Sequence, residues 1–527
     1  MALASMTSVP ATMPVLAAEQ EFTPLETLVR NVAIAKPAHL AVIEGDTSID
    51  YAGLNDLIDR VAAALQAQGL QSGDAIAICA LSSIPYVAVF LGAHRAGVAV
   101  APLAPSSTPV DFSAMVKDSA AKMLFMDDST VAAMADAVVA PEITRVALDG
   151  GGAGTAFTAF IAPAGVTPTP VTLDPEQVFN IIYSSGTTGT PKGIVHTHMM
   201  RWRQYGRLDP LGYGGDAVTL LSTPLYSNTT LVCFNPTLAG GGTLVLMKKF
   251  DAHRLLELSQ QHRVTHAMLV PVQYRRIMAL PDFDSFDLTS YVMKYSTSAP
   301  FAAVLKADIL KRWPGGLTEF YGMTEGGGSC VLLAHEHPDK LHTVGQPMPE
   351  HEIRLVDEDG NDVPVGEIGE VVGHSSTIMQ GYLNQPGKTE ETFWRDPTGR
   401  IFVRTGDVGR FDAEGFLTLM DRKKDMIISG GFNIYPSDLE AVLAGHEDVV
   451  EVAVVAMPSE EWGETPVAFV VLKPNALVDT ATLKAWTNAR VGKFQRLNDV
   501  AVVDSLPRSA IGKVLKRELR DRQLAKV

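Results

Sequence analysis

The sequence predicts an α/β protein with a large N-terminal part and a small C-terminal α+β part, and three observations carry that prediction. Helical and strand periodicities alternate early in the chain, short strands with turns begin near Glu352, and the charge balance changes after Asp425. Leu54, Leu57, Ile58, Val61 and Leu65 recur at helical spacing and end at Gly69, a C-terminal cap. Ala75 to Cys79 reads as a buried strand, a second helix from about Tyr86 stops near Gly97, and Val98 to Leu103 returns as a strand. This order predicts a mostly parallel sheet covered on both faces. The Gly/Ala/Pro/Thr-rich stretch from Gly150 to Pro170 reads as a surface connection. From Glu352 on, turns such as Asp359-Gly360-Asn361 divide a β-rich subdomain. In the last part, Ser437 and Glu440 form a capping-box pattern ahead of Leu439, Val442 and Leu443, and strands follow at Val449 to Val455 and Val467 to Leu472.

The 527 residues are 46% hydrophobic and 19% charged, with a net charge of −16, which suits a soluble, multidomain globular protein. The acidic excess argues against nucleic acid or anionic membrane as a partner. From Asp425 onward 12 basic residues face 14 acidic ones, so the excess belongs to the larger part. The apolar stretch Ala75 to Ala93 contains Ser82, Ser83 and Pro85, which divide it into a strand and a helix and exclude a membrane span. Met1 to Glu19 has no Lys or Arg and is expected to be a loose tail, without the basic start of a secretory signal. Cys79, Cys233 and Cys330 are far apart and form no CxxC pair, which leaves neither a disulfide framework nor a thiolate metal site; a reducing, cytoplasmic location is expected.

Five segments carry chemistry. The run Tyr183-Ser184-Ser185-Gly186-Thr187-Thr188-Gly189-Thr190-Pro191-Lys192-Gly193 is rich in groups that donate to phosphate oxygens, with Lys192 adding a positive charge. It is not a Walker A loop, because Gly193 follows the lysine, and the flanking apolar runs place it at a hairpin tip. Tyr321-Gly322-Met323-Thr324-Glu325 joins an aromatic ring that can stack on a purine to a hydroxyl and a carboxylate suited to phosphate and Mg2+. Thr405-Gly406-Asp407 is a turn whose carboxylate can accept two ribose hydroxyls. Asp421 to Asp425 followed by Gly430-Gly431 reads either as a solvated charged turn or as a hinge with phosphate-facing cations. Last, Lys513 follows Gly512 in the loop Pro507-Arg508-Ser509-Ala510-Ile511-Gly512, which can swing one lysine into a site, whereas Lys516, Arg517 and Arg520 read as a solvated terminal helix. His335-Glu336-His337 fails the HExxH pattern, and no nucleophile elbow or GxGxxG is present; His196 and His198 read as structural histidines.

Together and in this order, SSGTTGTPKG, YGMTE, TGD, DRKKDMIISGG with Asn433 and Glu440 beyond it, and PRSAIGK resemble the adenylate-forming superfamily of acyl-CoA synthetases, adenylation domains and luciferases, over about Phe22 to Leu519. The resemblance implies an adenylation domain over 1–420, a hinge at 421–424 and a small mobile domain over 425–527. It implies that Ser184, Ser185, Gly186, Thr187, Thr188, Gly189 and Lys192 hold the ATP β- and γ-phosphates, and that Tyr321 and Gly322 with Ser298, Ala299 and Pro300 bracket adenine. Thr324 would contact the α-phosphate, Glu325 would hold Mg2+, Asp407 and Arg422 would bind ribose, and Lys513 would bridge the carboxylate and the α-phosphate. Lys424 matches the hinge position, and Gly430 and Gly431 would line a tunnel for CoA.

The activity so implied is ligation of a carboxylic acid to CoA through an acyl-adenylate, with ATP, Mg2+ and CoA, and no integral membrane segment. Loading of a carrier-protein phosphopantetheine and a non-catalytic nucleotide-binding scaffold are the alternatives, the latter opposed by intact Lys192, Glu325 and Lys513. Further expected partners are an acetyltransferase acting on Lys513 and a second copy of the chain. For the acyl pocket, Tyr226, Ser227, Thr230, Phe234, Ser298, Gly327 and Val331 are the expected wall, although core packing explains Phe234 and Val331 equally well. Ser227 stands where many relatives carry histidine, and Gly326, Gly327 and Gly328 are read as leaving side-chain space, which favours an aromatic or medium-chain acid over acetate.

Overall fold

A computed structural model describes residues 21–150, 152–184, 191–205, 212–422, 425–429, 432–460, 462–508 and 513–524, with backbone alone at 421, 422, 432, 433 and 494. The expected N-terminal tail therefore lies outside the described residues, as do Ser185 to Thr190, Lys424, Gly430, Gly431 and Ser509 to Gly512. Contacts divide the chain into two compact units, residues 1–352 with 373–403, and residues 353–372 with 404–527. The β-rich stretch from Glu352 to Met420 is shared between the two units.

The first unit holds two mixed sheets. In one, the parallel strands Ala99–Pro102, Ala75–Cys79, Met123–Met126 and Thr144–Ala147 continue into the antiparallel pair Val178–Ser184 and Lys192–Thr197, with Gly381–Tyr382 at the edge. Every residue of Ala75–Cys79 is buried, which explains its unbroken apolar run. The helix Tyr51–Ala67 starts at Asp50, whose carboxylate accepts from Gly53 N at 2.8 Å, and Gly69 beyond its end takes φ +83°. Helix Ile84–Arg95 is buried at every position but Pro85, so the apolar stretch does divide into a strand and a helix; among the described residues no helix is long and apolar enough to cross a membrane. Arg95 at its end is itself buried, bonded to Glu26 at 3.1 Å and Asp59 at 3.0 Å.

The other sheet runs Val218–Leu221, His266–Leu269, Met293–Ser296 and Gly316–Tyr321 in parallel, with Cys330–Leu333 antiparallel beyond. Parallel strands put their carboxyl ends on one edge, and the segments leaving that edge here are Pro224 to Thr230, Thr297 to Pro300 and Gly322 to Gly328. Strand Gly316–Tyr321 is anchored from behind by Glu319, which forms a buried ion pair with Lys306, while the same ammonium donates to the carbonyls of Leu341 at 2.8 Å and Thr343 at 3.1 Å. Burial pushes the Glu319 carboxyl up to about 7 against the opposing pull of Lys306.

The second unit contains Leu417–Arg422 paired antiparallel with the end of Ile401–Phe411, and a five-stranded sheet of Phe432–Ile434, Ile427–Ser429, Gly463–Leu472, Val449–Ser459 and Asp499–Val502. Leu439, Leu443, Val454, Val470 and Leu483 fill one face of that sheet, and Ala453, Val455, Phe469 and Leu519 fill the other. The capping-box expectation is corrected here. Tyr435 occupies the N-cap of helix Pro436–Ala444 without a side-chain cap, the Ser437 hydroxyl donates to the Met420 carbonyl, and Glu440 accepts from Val454 N at 2.8 Å. Long-range partners outcompete the local cap. Glu440 also pairs with Lys516 at 2.8 Å, so Lys516 is tied down, while Arg517 and Arg520 are exposed as expected.

Replacing Lys306 by Met would strand the Glu319 carboxylate in the core, a change that costs about 3–5 kcal/mol in comparable pairs. A clear fall in the thermal unfolding midpoint of Lys306→Met is the expected result in a calorimetric scan.

Candidate active site

Two of the sequence motifs converge in the first unit. Ser184 pairs with Lys192 across the hairpin, as placement at a hairpin tip requires, and along Lys192–Thr197 alternation puts Lys192, Ile194 and His196 on one face. The Lys192 ammonium stands over the ring of Tyr382, 4.8 Å from its centroid. The Tyr382 hydroxyl donates to Glu325 Oε1 at 2.8 Å. Burial and the neighbouring carboxylate push the Tyr382 phenol well above its ordinary range, so it remains a donor. One tyrosine therefore connects the phosphate hairpin to the YGMTE segment.

That segment is held by its backbone. Met379 N donates to Glu325 O at 2.9 Å, Gly327 N to Thr377 O at 3.2 Å, and Gly326 N to Met323 O at 3.1 Å. From the hairpin side, His196 Nε2 lies 2.7 Å from the Thr324 carbonyl oxygen. Gly326 and Gly327 take φ of +72° and +92°. A Cβ on Gly326 would run into the Thr377 carbonyl, and one on Gly327 would come within 2.6 Å of Val403 Cγ2. The reading of these two glycines as spare side-chain space is thus corrected: backbone and Val403 fill that space, and close approach explains both residues. At Gly322 a Cβ would meet Ser329 Oγ at 2.7 Å.

Ser298, Ala299 and Pro300 follow strand Met293–Ser296, and Tyr321 ends the adjacent parallel strand, so both groups emerge at the same sheet edge. Ser298 adopts φ +80° and shares a 2.7 Å hydrogen bond with Thr229 Oγ1. Tyr226 and Ser227 leave the same edge. Tyr226 is half-buried, and burial raises its phenol. Ser227 is the N-cap of helix Asn228–Ala239, its Oγ accepting from Thr229 N at 3.3 Å. The Thr230 hydroxyl lies 2.6 Å from Pro224 O and 2.8 Å from Thr223 Oγ1, and Phe234 packs edge-on against Phe90 in the main core, with ring centroids 5.6 Å apart. Val331 is half-buried opposite Phe320.

In the second unit, Asp407 stands opposite Arg422 in the antiparallel ladder, and its N–H donates to Thr405 Oγ1 at 3.0 Å after Gly406 at φ +69°. Thr405 in turn donates to Val371 O at 2.9 Å. Lys513 is half-buried in a loop that closes through an Arg508–Val514 bridge and a 2.8 Å bond from Leu515 N to Pro507 O.

Sequence reasoning missed Tyr382 and Thr229, which belong to no motif and meet their partners only in the fold, and it read His196 as structural. The three cysteines are buried, and burial pushes Cys79 and Cys233 to about 12 and Cys330 higher, so none is a ready nucleophile. Among the described residues no group of three or more His, Cys, Asp or Glu could hold a metal. A single carboxylate such as that of Glu325 is a hard oxygen donor of the kind that suits a divalent cation shared with phosphates.

The AMP-binding enzyme family model matches residues 29–383, and the AMP-binding enzyme C-terminal domain model matches residues 438–513. A feruloyl-CoA synthase of Amycolatopsis sp is 34% identical over 495 residues, covering 92% of this chain and 96% of that protein. A medium/long-chain fatty acid–CoA ligase of Mycobacterium tuberculosis is 31% identical over 508 residues, covering 91% and 86%. Among solved structures, the amide bond synthetase McbA of Marinactinospora thermotolerans superposes with a TM-score of 0.84 at 28% identity, covering 95% of this chain and 100% of that one. The chain belongs to the AMP-binding enzyme family, the adenylate-forming superfamily that includes the acyl-CoA synthetases.

Proposed function

We propose that this protein activates an aromatic or medium-chain carboxylic acid with ATP and transfers the acyl group to CoA. The observation that carries the reading is the Lys192–Tyr382–Glu325 cluster beside the Thr324 turn, at the sheet edge from which Ser298 also emerges. The names of the relatives support the acid class and the thiol acceptor.

A carboxylate and a triphosphate repel each other, so the first step depends on donors and cations placed before reaction. Ser184 to Gly189 and Lys192 cradle the β- and γ-phosphates, Tyr321 and Ser298 to Pro300 bracket adenine, and Asp407 and Arg422 hold ribose. Glu325 would hold Mg2+, which supplies charge neutralisation at the phosphates when bound. The Thr324 hydroxyl donates to the α-phosphate, and Lys513 brings the substrate carboxylate to it. A carboxylate oxygen forms the bond to the α-phosphorus, the bond to the β-phosphate bridging oxygen breaks, and pyrophosphate leaves. The CoA sulfur then bonds to the acyl carbon, AMP departs with its oxygen, and the thiol proton passes to solvent. Between the steps the small domain turns about Lys424, withdrawing Lys513 and bringing Gly430 and Gly431 to the thiol path. Acetylation of Lys513 would remove its charge and stop the first step.

Several outcomes test this reading. Lys513→Ala is expected to lose acid-dependent pyrophosphate release by about 100-fold or more while capturing CoA from a supplied acyl-adenylate nearly normally; equal loss in both half-reactions would sink the assignment. Tyr382→Phe keeps the ring beneath Lys192 and removes one hydrogen bond to a charged group, so adenylation is expected to slow about 10-fold in an ATP–pyrophosphate exchange assay. A panel of aromatic and C6–C12 acids, scored for product with CoA, holo carrier protein or a free amine as acceptor, is expected to favour CoA. Preference for an amine would instead align the protein with the amide bond synthetase that shares its fold.

A further inference from the structure

His196 does more than fill the core. Its ring is fully buried, and three groups fix its hydrogen bonding. Arg201 Nη2 lies 2.8 Å from Nδ1, and Asn180 Nδ2 lies 3.2 Å from the same nitrogen. Guanidinium nitrogens only donate, and the Asn180 amide is oriented by Arg201 Nε, which donates to its Oδ1 at 3.0 Å. Nδ1 must therefore accept, which leaves the proton on Nε2, directed at the Thr324 carbonyl 2.7 Å away. Burial and Arg201 both disfavour a second proton on the ring.

The arrangement is expensive as a purely structural device. Arg201 is also fully buried, and its bonds run to the neutral groups of Asn180, Gln204 and His196. Burying a charge costs free energy that neutral hydrogen-bond partners offset only in part. The guanidinium instead locks one imidazole tautomer, four residues along the strand from Lys192 and on the same face.

We propose that His196 is a positioning residue for adenylation: through the Thr324 carbonyl it sets the turn that presents the Thr324 hydroxyl and the Glu325 carboxylate in register with Lys192. The inference rests on the reading that Thr324 and Glu325 serve ATP. It assigns Arg201 as the group that keeps the His196 donor in place.

Two substitutions in the full chain separate positioning from packing. In His196→Gln the amide nitrogen reaches the Nε2 position and keeps the donor to Thr324. In His196→Asn the side chain still accepts from Arg201 but is too short to reach that carbonyl. His196→Asn is expected to lower kcat for acid-dependent pyrophosphate release about 10-fold or more, with CoA capture from a supplied acyl-adenylate within about 3-fold of wild type, and His196→Gln to recover adenylation to within about 3-fold. Wild-type adenylation by His196→Asn, equal losses in the two variants, or equal losses in both half-reactions would overturn the assignment. If neither variant folds, the imidazole nitrogen resonances of the unmodified protein decide: protonated Nε2 supports the proposal, and protonated Nδ1 refutes it. Absence of acid-dependent pyrophosphate release in the wild type would be a different result, the failure of the adenylation reading itself.

Discussion

The site depends on keeping a lysine and a glutamate close together without letting them neutralise each other. Tyr382 achieves this by offering its ring face to Lys192 and its hydroxyl to Glu325. A direct ion pair would tie up both charges, whereas a cation–π contact leaves the ammonium its three donors. The tyrosine comes from the edge strand Gly381–Tyr382, which pairs with Val195 and Ile194 of the hairpin. Sheet register thus sets the geometry of both charges.

The same constraint explains the backbone around it. The Glu325 turn approaches the 377–379 segment closely, which excludes a side chain at Gly326, and Val403 excludes one at Gly327. Ser298 takes a left-handed conformation on the neighbouring strand end, where its hydroxyl shares a hydrogen bond with Thr229. Such positions are usually left to glycine, and a surrounding structure that over-determines them is common at binding sites. Behind these loops Lys306 and Glu319 are tied together under the strand that ends in Tyr321.

What was legible in the sequence follows from how local each signal is. The helix Tyr51–Ala67 and strand Ala75–Cys79 were readable because one buried face, or two, imposes a period on neighbouring residues. The hairpin strands flanking the phosphate segment were readable from two apolar runs around a polar loop. The family motifs were readable because phosphate and metal chemistry restricts residue type at short spacing. The Tyr382–Glu325 bond joins positions 57 residues apart and left no pattern to find. Ser437 and Glu440 had the spacing of a cap, but Met420 and Val454 became their partners once the second unit folded. The glycine run was misread for a related reason: sequence shows a missing side chain, whereas only the fold shows what occupies its space.

Ser227 illustrates how a substitution near a pocket can have a structural reason. The position caps helix Asn228–Ala239 through its hydroxyl. That helix carries Thr229, which bonds Ser298, and Phe234, which anchors it in the core against Phe90. Replacing the serine by histidine would exchange a favoured cap for a residue outside the favoured set and disturb the start of the helix that orients Thr229. The Ser227 cap and the placement of Ser298 are therefore coupled through a single helix terminus, and a change made at the first acts on the second as well.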